Sequence, residues 1–444
     1  MCTLNDIMPQ TPNQGDNFID FYAVIPAGGT GSRLWPLSRG ARPKFLYDLM
    51  GNGRTLIQST FDRLARLAGP DRVLVSTGWR HVAAVEAQLP ELKASNILAE
   101  PVPRDSTAAI ALATAVLARR HGDHIVVGSF AADHVIRGKE SFADAVAQAV
   151  VAARAGYVAT IGIAASRPST AFGYIHQGRS LGAEIAGAPS ARLVERFVEK
   201  PDSATAQAYL STGEYRWNAG MFVMRADVLL EHLREYKPQL YDAVSHIADA
   251  YAAVDGQNGS AAASSEQTAA AQRVAQSENR TDGRFADGAG EGGAGDNAAP
   301  GADADTNVNA AAIDEAMATY WPGIEKIAFD YAVAEPLSVA GGVAMVPGDF
   351  GWDDIGDFNS VAVLLPSTGS RNIKILGDTD KVVSLDSAGD VVMPLSDRTI
   401  ALLGVNDMVI ADTPDALLIA PRARSQEVKD MVAYLDGEGR DDIL

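Results

Sequence analysis

Short apolar runs alternate with longer amphipathic segments from residue 21 to about residue 235. The runs are rich in β-branched side chains, which favours buried strands, whereas the longer segments have helical periodicity. Such alternation predicts an α/β fold, with crossovers onto a mostly parallel sheet and ligands at the carboxyl ends of its strands. The predicted strands are Phe21–Ile25, Val73–Ser76, Ile125–Val127, Val158–Ile163 and Met221–Met224. The predicted helices include Thr55–Ala68, Ser106–Arg120 and Ser141–Ala155.

The pattern changes at three places along the chain. Residues 252–312 consist mainly of Ala, Gly, Ser, Asn and Asp, with nine acidic side chains, three arginines and no lysine. This composition predicts a disordered insertion, since it provides too little apolar surface to offset the ordering entropy. We therefore predict a polar tail over 1–20, a main domain over 21–366 that contains the insertion, and a small β domain over 371–436. A helix is expected near its end, from Ser425 to Leu435.

Composition restricts the class of protein. With 444 residues the chain can form one large and one smaller domain. Its formal net charge of −19 argues against nucleic-acid binding, which needs a basic surface. The single cysteine, Cys2, excludes an internal disulfide and fits a reducing cytoplasm. Because no secretion signal or membrane-length apolar segment is found, we expect a cytoplasmic protein that binds neither nucleic acid nor membranes.

A glycine-rich loop follows the first predicted strand. Gly28, Gly29 and Gly31 leave room for a polyanion to approach backbone N–H groups, and Arg33 and Lys44 supply two cations. A dinucleotide fingerprint is excluded, because a leucine stands where its third glycine should be. The Gly-Lys-Ser/Thr of the Walker loop is also absent. The loop therefore indicates nucleoside triphosphate chemistry.

Further polar motifs follow predicted elements in a fixed order. Ser106 or Thr107 is expected to cap the helix that begins there. Together with the glycine loop, the motifs resemble those of the mannose-1-phosphate guanylyltransferases, or GDP-mannose pyrophosphorylases, in their short monofunctional bacterial form. The resemblance covers residues 21–250 and 313–425. The motifs are Glu100-Pro101, Arg104–Thr107, Ala131–His134, Thr170–Ile175, Val198–Pro201, Trp217–Phe222, Phe329–Tyr331 and Gly351–Gly356.

The resemblance implies a fold and an activity. The fold is a Rossmann-like nucleotidyltransferase domain with a mostly parallel mixed sheet, followed by a β-helix-like domain. Members of this family convert GTP and mannose 1-phosphate into GDP-mannose and pyrophosphate with Mg²⁺, and they are commonly homodimers. The attacking phosphate oxygen is already ionised, so neither a general base nor a covalent intermediate is needed. Catalysis then consists of positioning and charge neutralisation.

The resemblance also assigns roles to individual residues. Arg33, Lys44 and Lys200 are expected to be catalytic, and Asp133 and Asp354 to hold Mg²⁺. The nucleotide-binding set is Ala27, Gly28, Gly29, Gly31, Arg33, Lys44, Glu100, Pro101 and Ser106. The sugar-phosphate set is Gly173, Glu199, Lys200 and Asn218.

Several of these residues have ordinary structural interpretations when taken singly. Asp133 fits a loop cap, Glu199 and Lys200 fit a surface ion pair, and Glu100 fits an exposed carboxylate. Glu100 is nevertheless suited to guanine, whose N1–H and N2 amine are adjacent donors for one carboxylate. Asp353 is an alternative to Asp354 as metal ligand, although the family spacing selects Asp354.

Three departures from the family pattern and two alternative functions remain. The usual Gln after Pro43-Lys44 is absent, Asp105-Ser106 replaces Asn-Thr, and Ala131 replaces Pro. Asp105 thereby adds an acid near the nucleotide. One alternative is a related pyrophosphorylase for another base or hexose, such as ATP or dTTP with glucose 1-phosphate. The other is a non-catalytic regulator that binds GDP-mannose, which is disfavoured because the phosphate cations and metal carboxylates are present.

Overall fold

The computed structural model describes residues 17–256, 302–368 and 371–444. The strands are β1 Phe21–Ala27, β2 Val73–Gly78, β3 Ile97–Glu100, β4 Val126–Ser129, β5 Val135–Ile136, β6 Val158–Ala164, β7 Tyr174–Ser180, β8 Arg192–Val198, β9 Tyr215–Arg225, β10 Val343–Gly348, β11 Trp352–Asp353, β12 Lys374–Ile375, β13 Val382–Leu385, β14 Val391–Pro394, β15 Ile400–Leu403, β16 Met408–Asp412 and β17 Leu417–Pro421. The helices are α1 Leu56–Ala68, α2 Val82–Gln88, α3 Asp105–His121, α4 Lys139–Arg154, α5 Ser203–Thr212, α6 Ala226–Tyr236, α7 238–256, α8 Ala302–Tyr320, α9 Glu335–Val339, α10 Phe358–Leu364 and α11 Val428–Gly437.

A nine-stranded mixed sheet forms the centre of the main domain, in the order β3-β2-β1-β4-β9-β6-β10-β8-β7. Strands β1 to β4 are parallel to one another, and β10 is parallel to β6. Strand β9 runs antiparallel between β4 and β6, and it also pairs with β7. The predicted mixed α/β sheet is confirmed, with its parallel part concentrated at the β1 end. The carboxyl ends of β1, β3 and β4 therefore lie at one edge.

Helices cover both faces of this sheet. On one face, α1 and α4 bury apolar side chains such as Phe61 and Phe142 against β1 and β6. Helix α1 begins with a capping box, in which Thr55 and Gln58 satisfy each other's backbone N–H groups. On the other face, α3 is buried almost throughout its length because α6 packs over it. Among the described residues, no helix is both long enough and apolar enough to cross a membrane.

The predicted insertion and tail differ in part from the structure. Residues 252–256 continue α7, and α8 begins at Ala302, so both ends of the predicted disordered segment are helical. Its remainder, 257–301, lies outside the described residues, as do residues 1–16 of the predicted tail. Phe18 is buried and meets Phe21 edge-on, with 5.5 Å between ring centroids. Helices therefore extend into both ends of the predicted insertion.

The C-terminal part is built from short strands, as predicted. Strands β12, β14 and β16 are parallel, β17 closes that sheet in antiparallel fashion, and β13 pairs with β15. The expected helix starts at Val428, after a 3₁₀ segment over Arg422–Glu427.

This part packs onto the loop that follows β1. Leu34 and Trp35 of that loop lie in one apolar cluster with Val409 and Leu418 of the C-terminal part. Trp35 Nε1 also donates to the carbonyl of Ile443 at 2.7 Å. The C-terminal part therefore stabilises the loop that contains the glycines.

Candidate active site

The loop after β1 presents its backbone to open space. A Cβ atom on Gly28 or Gly29 would meet nothing within 4 Å, so these residues form the wall of a cavity. Gly31 has another role. Its φ of +64° lies in the left-handed region, and a Cβ there would be 2.9 Å from Ser38 Oγ and 3.0 Å from Lys44 Cγ. The missing side chains of Gly28 and Gly29 therefore leave room for a ligand, and the missing side chain of Gly31 leaves room for the Lys44 side chain.

Lys44 connects the glycine loop to both residues that are predicted to hold the metal. Its Nζ lies 2.9 Å from Asp133 Oδ2 and donates to the main-chain carbonyls of Asp354 and Ile355 at 2.8 and 3.0 Å. The short ribbon of β5 and β11 brings the two acidic residues together, because Val135 pairs with Asp353. Asp133 lies two residues before this pairing position and Asp354 follows the ribbon directly.

Charge and burial act differently on these two acids. Burial raises the pKa of Asp133, but Lys44 and His134 outweigh this effect and hold it below its usual range. For Asp354 burial outweighs the lowering effect of Lys44 and His134, so its pKa is raised. Burial also lowers the pKa of His134, whose Nδ1 has no hydrogen-bond partner among the described residues. The place where Lys44, Asp133 and Asp354 meet, which we call the junction, therefore holds one acid with a lowered pKa and a second with a raised pKa.

A cavity of about 460 Å³ opens at the carboxyl ends of β1 and β3. Glu100 lies in its wall with 7% of its surface exposed, and Ser76 Oγ donates to its Oε1 at 2.8 Å. Burial raises the pKa of Glu100 to about 7, although the Ser76 hydrogen bond opposes this. The predicted residues in the lining are Ala27, Gly28, Gly29, Glu100, Ser106 and Asp133. We call this space the nucleotide cavity.

A second cavity, of about 270 Å³, adjoins the first and shares Pro26, Ser106 and Ala131 with it. All four residues predicted to bind the sugar phosphate line it, together with Asp354: Gly173, Glu199, Lys200 and Asn218. We call it the sugar cavity.

Glu199 and Gly173 approach each other closely in the sugar cavity. A Cβ on Gly173 would lie within 2.4 Å of Glu199 Oε2, so only glycine allows this carboxylate its position. Lys200 Nζ lies 2.7 Å from Glu199 Oε1. The Glu199 side chain is only 7% exposed, whereas that of Lys200 is 57% exposed. The pair is therefore a buried anion with a cation at the cavity mouth, rather than a simple surface ion pair.

The structure also places some predicted residues differently. Ser106 does not cap α3, because its hydroxyl accepts from Phe329 N at 2.8 Å and the helix starts at Asp105 without a side-chain cap. The capping prediction was wrong, because the Ser106 hydroxyl accepts a hydrogen bond from the backbone of a distant segment instead. Pro101 is exposed, and Pro103 lines the nucleotide cavity instead.

Three other predicted residues, Gly31, Arg33 and Lys44, are not among the residues that line either cavity. The Nε of Arg33 is buried and has no hydrogen-bond partner within the described part of the chain.

Sequence reasoning missed two charged residues that line the cavities. Lys326 lies in the wall of the nucleotide cavity, and Asp330 in that of the sugar cavity. The motif around Asp330 was noticed but received no role, and Lys326 belongs to no motif. Asp354, and not Asp353, lines the sugar cavity, while Asp353 Oδ1 accepts from Ile355 N at 2.8 Å.

Comparison with known proteins identifies the family. A family model described as nucleotidyl transferase matches residues 22–365, which is more than half of the chain. The chain belongs to the nucleotidyl transferase family. In this transferase, a second family model, described as a MannoseP isomerase/GMP-like beta-helix domain, matches residues 380–435. The predicted β-helix-like C-terminal part is thereby confirmed.

The transferase has curated relatives of greater length. It is 34% identical over 422 residues to the xanthan biosynthesis protein XanB of Xanthomonas campestris pv. campestris strain B100, covering 95% of this chain and 74% of that protein. It is 33% identical over 427 residues to the mannose-1-phosphate guanylyltransferase of Escherichia coli strain K12, covering 94% and 74%. A crystal structure described as mannose-1-phosphate geranyltransferase from Thermus thermophilus matches with a TM-score of 0.69 and 29% identity, covering 94% of this chain and 100% of that one.

Nucleotidyl transferases generally use a divalent metal ion, and the junction fits one. Asp133 and Asp354 offer the carboxylate oxygens that hard cations prefer, and the raised pKa of Asp354 indicates a charge that a cation would stabilise. Within the described ranges, no group of three or more His, Cys, Asp or Glu side chains is arranged for a metal. The remaining ligands would therefore be phosphate oxygens and water.

Proposed function

We propose that this transferase moves a guanylyl group from GTP to α-D-mannose 1-phosphate, giving GDP-mannose and pyrophosphate. The observation that carries the proposal is that two cavities adjoin, one lined by Asp133 and the other by Asp354, and that Lys44 contacts both of these residues. One cavity has a glycine-loop wall and a buried carboxylate, and the other has buried acceptors suited to a hexose. The names of several curated relatives support the same activity.

The chain's own residues bind and orient the two reactants. The N–H groups around Gly28 and Gly29 face the triphosphate, and Lys44 beside them neutralises its charge. Lys200 at the mouth of the sugar cavity holds the phosphate of the hexose 1-phosphate. Because that phosphate is already ionised, it attacks the α-phosphorus of GTP in line without a general base. Pyrophosphate then leaves on the side of the glycine loop, where Arg33 adds positive charge.

Mg²⁺ is the proposed metal ion, with Asp133 and Asp354 as its ligands. When bound, it supplies positive charge to the phosphates of both substrates. Glu100 is proposed to select guanine, since its two carboxylate oxygens can accept from N1–H and the N2 amine. The cytoplasm is the proposed location.

A pyrophosphate-release assay tests the proposal. The purified full chain is incubated with Mg²⁺ and every pairing of GTP, ATP, CTP or dTTP with mannose 1-phosphate or glucose 1-phosphate. We expect the highest kcat/KM for GTP with mannose 1-phosphate. A preference for another pair would identify a related pyrophosphorylase. Binding of GDP-mannose without any turnover would identify a regulator and overturn the proposal.

A further inference from the structure

Asp330 is a buried acid in the wall of the sugar cavity, and the proposed reaction gives it no role. It begins the π-helical turn Asp330–Ala334, directly after the buried Phe329. Burial, reinforced by the negative charge of Glu199, raises the pKa of Asp330 to about 7. A buried carboxylate costs free energy unless it is well partnered. Its place in a cavity wall therefore needs an explanation.

The amide of Asn218 fixes one side of this carboxylate. Asn218 Oδ1 accepts from Thr160 Oγ1 at 2.9 Å and from Gly220 N at 3.2 Å, so its Nδ2 must point the other way. That Nδ2 donates to Asp330 Oδ1 at 2.7 Å. An ionised carboxylate accepts several hydrogen bonds, so Asp330 keeps acceptor capacity toward the cavity after this contact.

The charges around the cavity favour a hydroxyl over a phosphate at this position. Asp330 and Glu199 are both buried acids here, and they repel each other. The cation beside these acids is Lys200, whose Nζ lies 2.7 Å from Glu199 Oε1 and whose side chain is largely exposed to solvent. An anionic phosphate would be repelled from the Asp330 end, whereas a hexose hydroxyl donates to a carboxylate. These charges favour a hexose 1-phosphate bound with its ring toward Asp330 and its phosphate away from it.

We propose that Asp330 is a specificity-determining residue, whose carboxylate accepts a hydrogen bond from one hydroxyl group of the hexose. Together with Glu199 it selects a sugar that presents two hydroxyl donors to the interior of the cavity. This inference rests on the proposed function, because it assumes that a hexose 1-phosphate occupies the sugar cavity.

Asp330→Asn in the full chain tests the inference, because the amide keeps the size of the side chain but changes the acceptor. Initial rates are measured with GTP and with mannose 1-phosphate or its 2-, 3-, 4- and 6-deoxy forms. We expect kcat/KM for mannose 1-phosphate to fall roughly 10- to 100-fold, the range for a hydrogen bond to a charged group, with the KM for GTP unchanged. With the unmodified chain, one deoxy form should show a similar fall in kcat/KM relative to mannose 1-phosphate. The variant should use that deoxy form and mannose 1-phosphate with equal kcat/KM.

Glu335→Gln is the matched control. Glu335 Oε1 accepts from Glu199 N at 3.3 Å, but Glu335 does not line the sugar cavity. This variant should therefore show the same relative kcat/KM values across the deoxy series as the unmodified chain. If the variant at Asp330 lowers kcat/KM equally for every sugar, Asp330 acts only by holding Asn218, and the inference is overturned.

A measurement on the unmodified chain keeps the inference testable if the variant does not fold. The charged groups that face Asp330 are Glu199, Lys200 and Asp105, with Tyr331 beside it. Since only the ionised form is a pure acceptor, discrimination against the critical deoxy sugar should increase as the pH rises through about 7. The ratio cancels the titration of the substrate phosphate. A ratio that does not change with pH overturns the role of Asp330.

The two proposals can fail separately. Turnover by the unmodified chain, together with an equal response of Asp330→Asn to all sugars, overturns only the role of Asp330. Absence of turnover with every nucleotide and sugar phosphate overturns both.

Discussion

Glu100→Gln separates guanine recognition from the other contacts of the nucleotide. The change keeps the shape of the side chain, and the amide oxygen can still accept from Ser76 Oγ, which lies 2.8 Å from Glu100 Oε1. It replaces the other acceptor with an N–H donor, which would face a donor of guanine. Because Glu100 is only 7% exposed, water cannot readily compensate for this mismatch.

The expected functional loss follows from this burial. An unsatisfied buried polar pair costs about 1–3 kcal/mol, so kcat/KM for GTP should fall roughly 5- to 150-fold. ITP lacks the N2 amine, so its kcat/KM should fall less. The KM for mannose 1-phosphate should not change, because Glu100 is absent from the described lining of the sugar cavity.

The same variant should be more stable at high pH when no nucleotide is bound. Burial raises the pKa of Glu100 from 4.5 to about 7, and each pKa unit corresponds to about 1.4 kcal/mol. The folded state therefore binds more protons than the unfolded state between these values, and stability falls as the pH rises through them. Glu100→Gln removes this penalty, giving a gain of up to about 3 kcal/mol above pH 7 and almost none below about pH 4.

Initial rates with GTP and ITP and denaturant unfolding at pH 5 and pH 8 provide the assay. Glu86→Gln, at an exposed position of α2, is the control for a change of net charge. If Glu100→Gln keeps the full preference for GTP over ITP, the base is selected by other groups, and the reasoning about Glu100 is refuted.

Three further results are expected. Asp133→Asn and Asp354→Asn should each lower kcat at least about 100-fold at ordinary Mg²⁺ while the chain stays folded, as measured by pyrophosphate release and circular dichroism. Gly173→Ala should raise the KM for mannose 1-phosphate and not that for GTP, because the new Cβ displaces Glu199. Asp415→Asn breaks the ion pair between Asp415 of the C-terminal part and Arg39, which follows the glycine loop. Because the Asp415 side chain is 47% exposed, thermal unfolding should show a loss of unfolding free energy below about 1 kcal/mol.

Each of these results has a clear contrary outcome. Normal kcat in either aspartate variant would remove that residue from the metal site. An equal rise of both KM values in the glycine variant would indicate a general distortion rather than a displaced carboxylate. A large loss of stability on breaking the ion pair would show that the apolar contacts of Trp35 do not hold the loop by themselves.

Local patterns in the sequence predicted most of the elements that position the site. The apolar run at Phe21–Ile25 became the start of β1, and the predicted helix at Thr55–Ala68 became α1 with Thr55 as its cap. Glycine spacing predicted a backbone that faces a ligand, and Gly28 and Gly29 do face open space. These features depend on backbone preferences and side-chain periodicity within a few residues, which a single segment contains.

Contacts between distant segments escaped prediction from local pattern. The Ser106 hydroxyl was expected to cap its own helix, yet it accepts from Phe329, 223 residues away. The motif Phe329–Tyr331 suggested no role for Asp330, and its hydrogen bond with Asn218 became visible only in the structure. The composition of residues 252–312 also gave no sign that α8 begins at Ala302.

By itself, the sequence determined the alternating α/β order, the glycine loop and the types of charged group that the chemistry needs. Only the tertiary structure decided how these groups meet. Lys44 reaches the carbonyl of Asp354 across 310 residues, and the β5–β11 ribbon brings Asp354 toward Asp133. Burial then changes the charge of the acids in the cavity walls, raising the pKa of both Glu100 and Asp330 to about 7. Burial and long-range pairing depend on the whole packed chain, so no local pattern contains them.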